Sequence, residues 1–182
     1  MSEIENYTEN IHEQSNEHAH HAVSEGKDKW VLYVALTTAV FAVLAAITGL
    51  LAGDHSDEAM LAQIKSSDQW AFYQAKSIKS GTIDASNKVL LALGKTPAPE
   101  DAAKIKANKA DQATIMADAK ALQKEADEHV KLHKILARAV TLFQVAIAIG
   151  AISIITKRKS LWLASMGFAA IGIFFFLQGA VF

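Results

Sequence analysis

The chain has no cysteine and only two prolines, which narrows both its chemistry and its secondary structure. Without a thiol it can form no disulfide, no thiolate nucleophile and no cysteine-bound metal site. The prolines, Pro97 and Pro99, lie two residues apart, so no proline interrupts a helix elsewhere in the 182 residues. The chain also lacks an excess of charge of either sign, since 18 basic residues balance 19 acidic ones. The composition therefore gives no general attraction to nucleic acid.

Motifs of the common enzyme classes are missing as well. The sequence contains no GxGxxG, GxxxxGK[ST] or GxSxG pattern. His129 and His133 have the spacing of two metal ligands on a helix, but the residues between them lack the glutamate of an HExxH metalloprotease. We expect the protein not to be an enzyme and to need no cofactor.

Long apolar runs are the strongest feature that is present. Hydrophobic residues make up 51% of the chain and concentrate in three blocks, at 30–52, 139–155 and 161–182. Each block is long enough to cross about 30 Å of hydrocarbon as a helix. These blocks predict an all-α membrane protein with three transmembrane helices. A cleaved signal peptide is an alternative for the first block, but the 29 residues before it are long and acidic.

Basic residues near the predicted spans set the expected orientation. The loop 156–160 contains two lysines and an arginine, and lysines also precede the first span at positions 27 and 29. Basic loops stay on the cytoplasmic side, which predicts a cytoplasmic N-terminus and an extracytoplasmic segment 53–138. A basic cluster at 131–138 favours the opposite orientation, although loops of more than about 60 residues count for less in this rule.

The segment 53–138 is predicted to form two long helices joined by a turn. Ser56 is a predicted helix start, and Gly94 with the two prolines predicts a turn at 94–99. Uncharged residues recur in steps of three or four along the first arm, and we expect them to form its buried face: Met60, Ile64, Ser67, Ala71, Ala75, Ile78, Thr82, Ala85, Val89 and Leu93. The second arm has its own stripe and continues without a break into the second span: Ile105, Met116, Ala119, Leu122, Ala126 and Val130.

The two arms have similar lengths, which predicts a long antiparallel helical hairpin of a coiled-coil-like kind. Folding the chain about residues 96–97 gives the expected register of the two arms. It pairs Ile78 with Ile115, Ala71 with Leu122 and Ile64 with His129.

Three aromatic residues lie within four positions of the otherwise polar first arm. Trp70 and Tyr73 share one face of a helix, whereas Phe72 points about 200° away from Trp70. One face cannot bury all three rings. Either they pack over the second arm and neighbouring lysine stems, or they contact another subunit or protein together with Lys76.

Residues 55–80 also carry a resemblance to a known family. The stretch HSDEAMLAQIKSSDQWAFYQAKSIKS, after a helix that ends GLLAG, resembles the signature of a bacterial three-span membrane family known as domain of unknown function 4337. The likeness covers most of residues 28–182, and its most specific element is Trp70, Tyr73, Gln74, Ala75 and Lys76. The SGTIDASN stretch that follows departs from the family pattern, in which a more continuous helix is expected. The resemblance implies this architecture in a bacterial cytoplasmic membrane, and it implies no activity or catalytic residues.

The N-terminal tail contains a histidine cluster, EHAHH. His18, His20 and His21 are metal-ligand candidates of low specificity, since a helix would turn His20 away from the other two and no second cluster completes a site. We expect a solvated tail and no metal.

Small residues at four-residue spacing favour close packing of helices within the membrane. They are Gly49 with Gly53 near the outer end of the first span, and Ala146 with Gly150 in the second. Together with the aromatic cluster, they favour a membrane scaffold or accessory subunit whose hairpin binds another copy or a membrane-protein partner. The alternative is an oligomeric channel or transport protein with Gln144 and span threonines along a shared pore.

Overall fold

A computed structural model of the protein describes residues 29–181, which form three helices. They are α1 (Lys29–Ala92), α2 (Pro99–Thr156) and α3 (Lys159–Val181), and there is no strand within 29–181. All three are long and apolar enough to cross a membrane. The prediction of an all-helical chain with three candidate spans is therefore confirmed. The tail histidines 18, 20 and 21 lie outside the described residues.

The helix α1 is a single helix of 64 residues, so the predicted helix start at Ser56 is wrong. Serine can cap a helix, but capping matters only where the preceding chain leaves the helical conformation. The isolated glycines 49, 53 and 81 each cost a helix only about 1 kcal/mol, and no proline occurs before Pro97. As predicted, α2 continues unbroken from Pro99 to Thr156.

The ends of α1 and α2 are each closed by a residue in the left-handed conformation. Gly94 has φ of 70°, and the Gly94 and Lys95 amides donate to the carbonyls of Leu91 and Leu90 at 3.0 and 2.8 Å. This pair of bonds is the Schellman arrangement that glycine favours. Lys157, with φ of 54°, ends α2 in the same way without the benefit of glycine.

Residue contacts divide the described chain into two compact units. The first, which we call the span unit, comprises residues 29–55 and 131–181. The second, the hairpin unit, is Ser56–Val130. Both α1 and α2 contribute to both units, and α3 belongs to the span unit alone.

The span unit is packed around small residues of α3. The buried residues of α3 are Ser165, Ala169, Gly172 and Gly179, spaced mostly by three or four positions. A Cβ atom at Gly172 would lie 3.0 Å from the Phe143 ring, and one at Gly179 would lie 2.7 Å from Leu136. Phe143 and Leu136 are fully buried as a result. Glycine thus makes room on α3 for the two largest buried side chains of α2.

A second close contact joins α1 to α2 within the span unit. A Cβ atom at Gly150 would lie 2.9 Å from the Thr38 methyl group. The backbone of α2 at Gly150 therefore packs directly against the Thr38 side chain of α1. Trp162 of α3 adds a hydrogen bond from its indole Nε1 to the Thr37 hydroxyl at 3.2 Å. His133 Nδ1 lies 2.8 Å from the Ala52 carbonyl oxygen, and it must carry the hydrogen because a carbonyl only accepts.

In the hairpin unit, the residues turned toward the other arm repeat in steps of three and four. We call the following set the hairpin seam, all of it at least partly buried: Ala59, Ala62, Ser66, Gln69, Tyr73, Lys76, Ser80, Ile83, Asn87 and Leu90 of α1, with Ile105, Asn108, Gln112, Ile115, Ala119, Leu122, Ala126 and His129 of α2. Most of these side chains are small or polar. Contacts across the seam run antiparallel, from Glu58 with His129 to Lys76 with Asp111.

The face predicted for the first arm is wrong, and so is the register. All ten predicted positions from Met60 to Leu93 are exposed, because α1 is rotated so that the residues next to them form the seam. His129 contacts Glu58 instead of Ile64, a shift of six residues. Hydrophobicity alone predicts the wrong buried face for the first arm, because most residues buried in the seam are small or polar. The stripe predicted for the second arm is at least partly buried throughout.

The close contact at Gly150 gives a test of the span packing. We expect Gly150→Val to destabilise the protein by about 1–3 kcal/mol, because the added atoms overlap the Thr38 methyl group. Gly167→Val is the matched control, since no described atom lies within 4 Å of a Cβ placed there. Thermal unfolding in mild detergent measures both. Equal melting temperatures for the two variants would contradict the packing described.

Candidate functional site

The aromatic residues of the first arm separate into two environments. Trp70 and Tyr73 are partly buried, and their rings meet edge to face with centroids 5.6 Å apart and planes at 73°. This geometry is a favourable one for aromatic pairs. Phe72 is 51% exposed and lies outside that pair. The hairpin therefore accommodates Tyr73 in its seam, with Trp70 packed against it, and leaves Phe72 at its surface.

Lys76 links the exposed ring to the second arm. Its Nζ lies 5.5 Å from the centroid of the Phe72 ring, within the range of a cation–π interaction. The same Nζ is 2.7 Å from a carboxylate oxygen of Asp111 on α2. Phe72, Lys76 and Asp111 thus form one connected group at the surface of the hairpin. Of the four predicted contact residues, Trp70 and Tyr73 form one pair, and Phe72 and Lys76 belong to this group.

Two further polar contacts hold the arms in register. The Ser66 hydroxyl, buried in the seam, donates to the Ala119 carbonyl oxygen at 2.9 Å. Nearer the start of the hairpin unit, His129 Nδ1 lies 3.0 Å from a carboxylate oxygen of Glu58. A buried hydroxyl that loses its partner costs about 1–3 kcal/mol, so sliding one arm along the other is unfavourable.

Ten exposed positions in steps of three or four lie along one side of the first arm, nine in α1 and Leu93 just after it. We call them the outer stripe: Met60, Ile64, Ser67, Ala71, Ala75, Ile78, Thr82, Ala85, Val89 and Leu93. Met60 is 57% exposed, Ile78 68% and Leu93 67%. No member of the stripe carries a charge. Charged residues of this arm lie elsewhere, for example Asp84, whose pKa is lowered by a hydrogen bond and by attraction from Lys88.

The small residues predicted to pack within the membrane fall into two groups. Ala146 is fully buried beside Phe41 and Ala169, and Gly150 is the residue held against Thr38. Gly49 and Gly53 behave differently, since a Cβ atom placed at either would have no neighbouring atom within 4 Å among residues 29–181. The first pair therefore serves helix packing inside this chain, and the second pair does not.

Sequence reasoning missed Gly172 and Gly179, the glycines of α3 with the closest contacts. The signal that would have found them is the spacing of small residues at 165, 169, 172 and 179. That spacing follows one face of α3, and it was hidden among large apolar residues on the other faces.

Comparison with known proteins identifies the chain at the level of family. The family model described as "Domain of unknown function (DUF4337)" matches residues 30–182. The chain belongs to the DUF4337 family. This match covers all three helices and confirms the resemblance carried by residues 55–80. No curated protein and no solved structure matches the chain.

The Lys76–Asp111 pair gives a test of how the DUF4337 hairpin is held together. A double-mutant cycle with Lys76→Ala and Asp111→Ala should show a coupling of about 0.2–1 kcal/mol, because both side chains remain partly exposed to water. Chemical unfolding of the full chain in detergent supplies the four free energies.

Lys124 and Glu128 provide the matched control, since this pair lies within α2 and does not join the arms. Salt should weaken the Lys76–Asp111 coupling. A coupling of zero at low salt would show that the ion pair does not stabilise the hairpin.

Proposed function

We propose that this DUF4337 protein is a non-enzymatic scaffold or accessory subunit of a bacterial cytoplasmic membrane. The apolar spans of its three helices serve as the anchor. Its coiled-coil-like hairpin binds another copy or a membrane-protein partner. In this proposal the N-terminus and the basic loop between α2 and α3 are cytoplasmic, and the hairpin is extracytoplasmic. The chain forms a homo-oligomer or a complex with a second protein.

One observation carries the proposal, and it concerns where the hairpin places its large apolar side chains. The seam buries mainly alanine, serine and asparagine, and Ile115 is its one large apolar side chain that is buried and not half-buried. By contrast, Met60, Ile64 and Ile78 are more than half exposed. A hairpin that functions alone gains stability by burying its larger apolar groups. Large apolar side chains on the outside of a small helical module are typical of a surface that binds a protein.

The aromatic group supports the same proposal. Lys76 Nζ lies 5.5 Å from the centroid of the Phe72 ring and pairs with Asp111 at 2.7 Å. A ring with restricted motion loses little entropy on binding, and aromatic residues are frequent anchors of protein interfaces. Trp70 and Tyr73, paired edge to face within the same helical turn, provide a second aromatic contact next to this group in the sequence.

Phe72 offers a direct test of the docking proposal. Phe72→Ala should weaken the assembly about tenfold, because an anchoring aromatic ring contributes at least about 1 kcal/mol. The measurement is native mass spectrometry of the gently extracted assembly, with its mass and copurifying proteins recorded over a range of concentrations. Leu91→Ala is the control, since Leu91 is 61% exposed and lies near the far end of α1.

The double variant Trp70→Ala with Tyr73→Ala extends the same experiment. We expect it to weaken the assembly too, through loss of the edge-to-face pair that lies beside Phe72. An unchanged mass and unchanged copurifying proteins in both the single and the double variant would reject docking through the aromatic cluster.

A channel or transport role is the second candidate, and one observation favours it. Gln144 lies in the predicted second span, yet its side chain is exposed at the surface of the span unit. A strongly polar side chain at membrane depth needs a polar partner or water. In an oligomer, several copies of Gln144 could line a shared water-filled path.

Flux through proteoliposomes tests this second candidate. If the protein conducts, Gln144→Leu should abolish ion flux, because the path loses its polar lining. Gln178→Leu is the control, since Gln178 is also exposed but lies near the end of α3. Bilayers that stay impermeable with the unaltered protein would reject the channel.

A further inference from the structure

We propose that the outer stripe of α1 is the surface on which the hairpin pairs with the same stripe of a second copy of this chain. The inference rests on the proposed function, in which the hairpin is a docking module, and it names both the partner and the contact surface. It concerns a different face from the aromatic cluster.

The outer stripe lacks charge along its whole length. Outward positions of a two-helix hairpin meet water and ordinarily carry charged side chains. The ten stripe positions, from Met60 to Leu93, carry none and every one is exposed, whereas exposed charges of this arm such as Lys65, Asp68 and Lys79 lie outside the stripe. The larger members extend along the arm, so the apolar character does not come from one local cluster.

The other arm of the same hairpin also has uncharged exposed positions in steps of three and four, but all of them are small: Ala103, Ala107, Ala110, Thr114, Ala117 and Ala121. Outward positions of α2 include exposed charged residues of both signs, at Lys106, Lys120, Lys124, Asp127 and Glu128. Both arms belong to one compact unit and have similar lengths. The difference between the arms is therefore one of size, because the outer stripe carries exposed large apolar side chains such as Met60, Ile64 and Ile78, and residues 99–130 carry none.

An uncharged stripe is suited to a second copy of itself. In a two-fold symmetric pair, the same patch is used on both sides, so residues near the axis face their own copies. Any charged residue there would meet a like charge, which is unfavourable. A stripe that carries no charge is compatible with itself in every register. Binding to a different protein does not impose this restriction.

The size of the stripe is sufficient for a specific contact. At about 1.5 Å per residue it extends for about 50 Å, and a helix is about 10 Å wide with its side chains. Two such faces bury about 1,000 Å² in total, which is the lower limit for a specific protein interface. A contact of this size is reinforced when both copies are confined to one membrane, since confinement raises their effective concentration.

The absence of natural cysteine allows a clean test by disulfide crosslinking. Single-cysteine variants are made at each of the ten stripe positions of the full chain, reconstituted in liposomes with excess lipid and oxidised. A disulfide forms only where two Cα atoms lie within about 7 Å. We expect crosslinked dimers at several stripe positions, with Ile78→Cys among them because Ile78 lies near the middle. Ala110→Cys and Ala117→Cys, exposed on the outward face of α2, are the controls and should stay monomeric.

A charge insertion provides an independent measurement. Ile78→Lys should raise the dissociation constant of the pair at least about tenfold, because two like charges would meet near the axis. Ala117→Lys adds the same charge to α2 and should leave the association unchanged. Both variants keep the seam intact, so helix content by circular dichroism should match that of the unaltered chain.

The outcomes distinguish this inference from the proposed function. A homo-oligomer that forms no disulfide at any stripe position would overturn pairing through the stripe and leave the scaffold proposal standing. A stable complex with a second protein that covers the stripe would likewise overturn self-pairing. A bare monomer in the membrane, with neither partner nor crosslink, would overturn both.

Discussion

Close approach between helices is the constraint that shapes every part of this protein, and it is met by small side chains. Gly150 admits the Thr38 methyl group, Gly172 admits the ring of Phe143, and Gly179 admits Leu136. The hairpin seam follows the same rule with alanine and serine. Because small residues occupy the contacts, most of the large apolar side chains must lie on the outside.

The consequence of that arrangement differs between the two units. In the span unit, outward leucine, isoleucine and phenylalanine side chains suit a hydrocarbon environment, where exposure carries no penalty. In the hairpin unit, the same arrangement leaves Met60, Ile64 and Ile78 exposed at positions that are ordinarily polar. A partner surface removes that cost, which connects the packing of the DUF4337 hairpin with its proposed role in assembly.

Polar contacts give the hairpin its specificity. A seam of small residues has few features that distinguish one register from another, since alanine packs about equally well at several positions. Ser66 with Ala119 and Lys76 with Asp111 supply the distinction, because any other register separates these partners. Lys76 also positions Phe72, so the contact that sets the register also orders part of the proposed docking surface.

The three candidate spans, the turn between the arms and the family could all be read from the amino acids alone, whereas the continuity of α1 through Ser56, the buried face of α1 and the pairing across the seam could not. Uninterrupted apolar runs, Gly94 and the pair of prolines are local signals, and local signals survive without knowledge of the fold. Hydrophobic periodicity indicates that a helix has an apolar face, but it does not say whether the other arm or a second molecule covers that face. Here α1 has two candidate faces on roughly opposite sides of the helix, one small and polar and one larger and apolar. The folded hairpin buries the face with the smaller side chains, because two long helices can approach most closely along that face. The face with the larger apolar side chains is then left exposed.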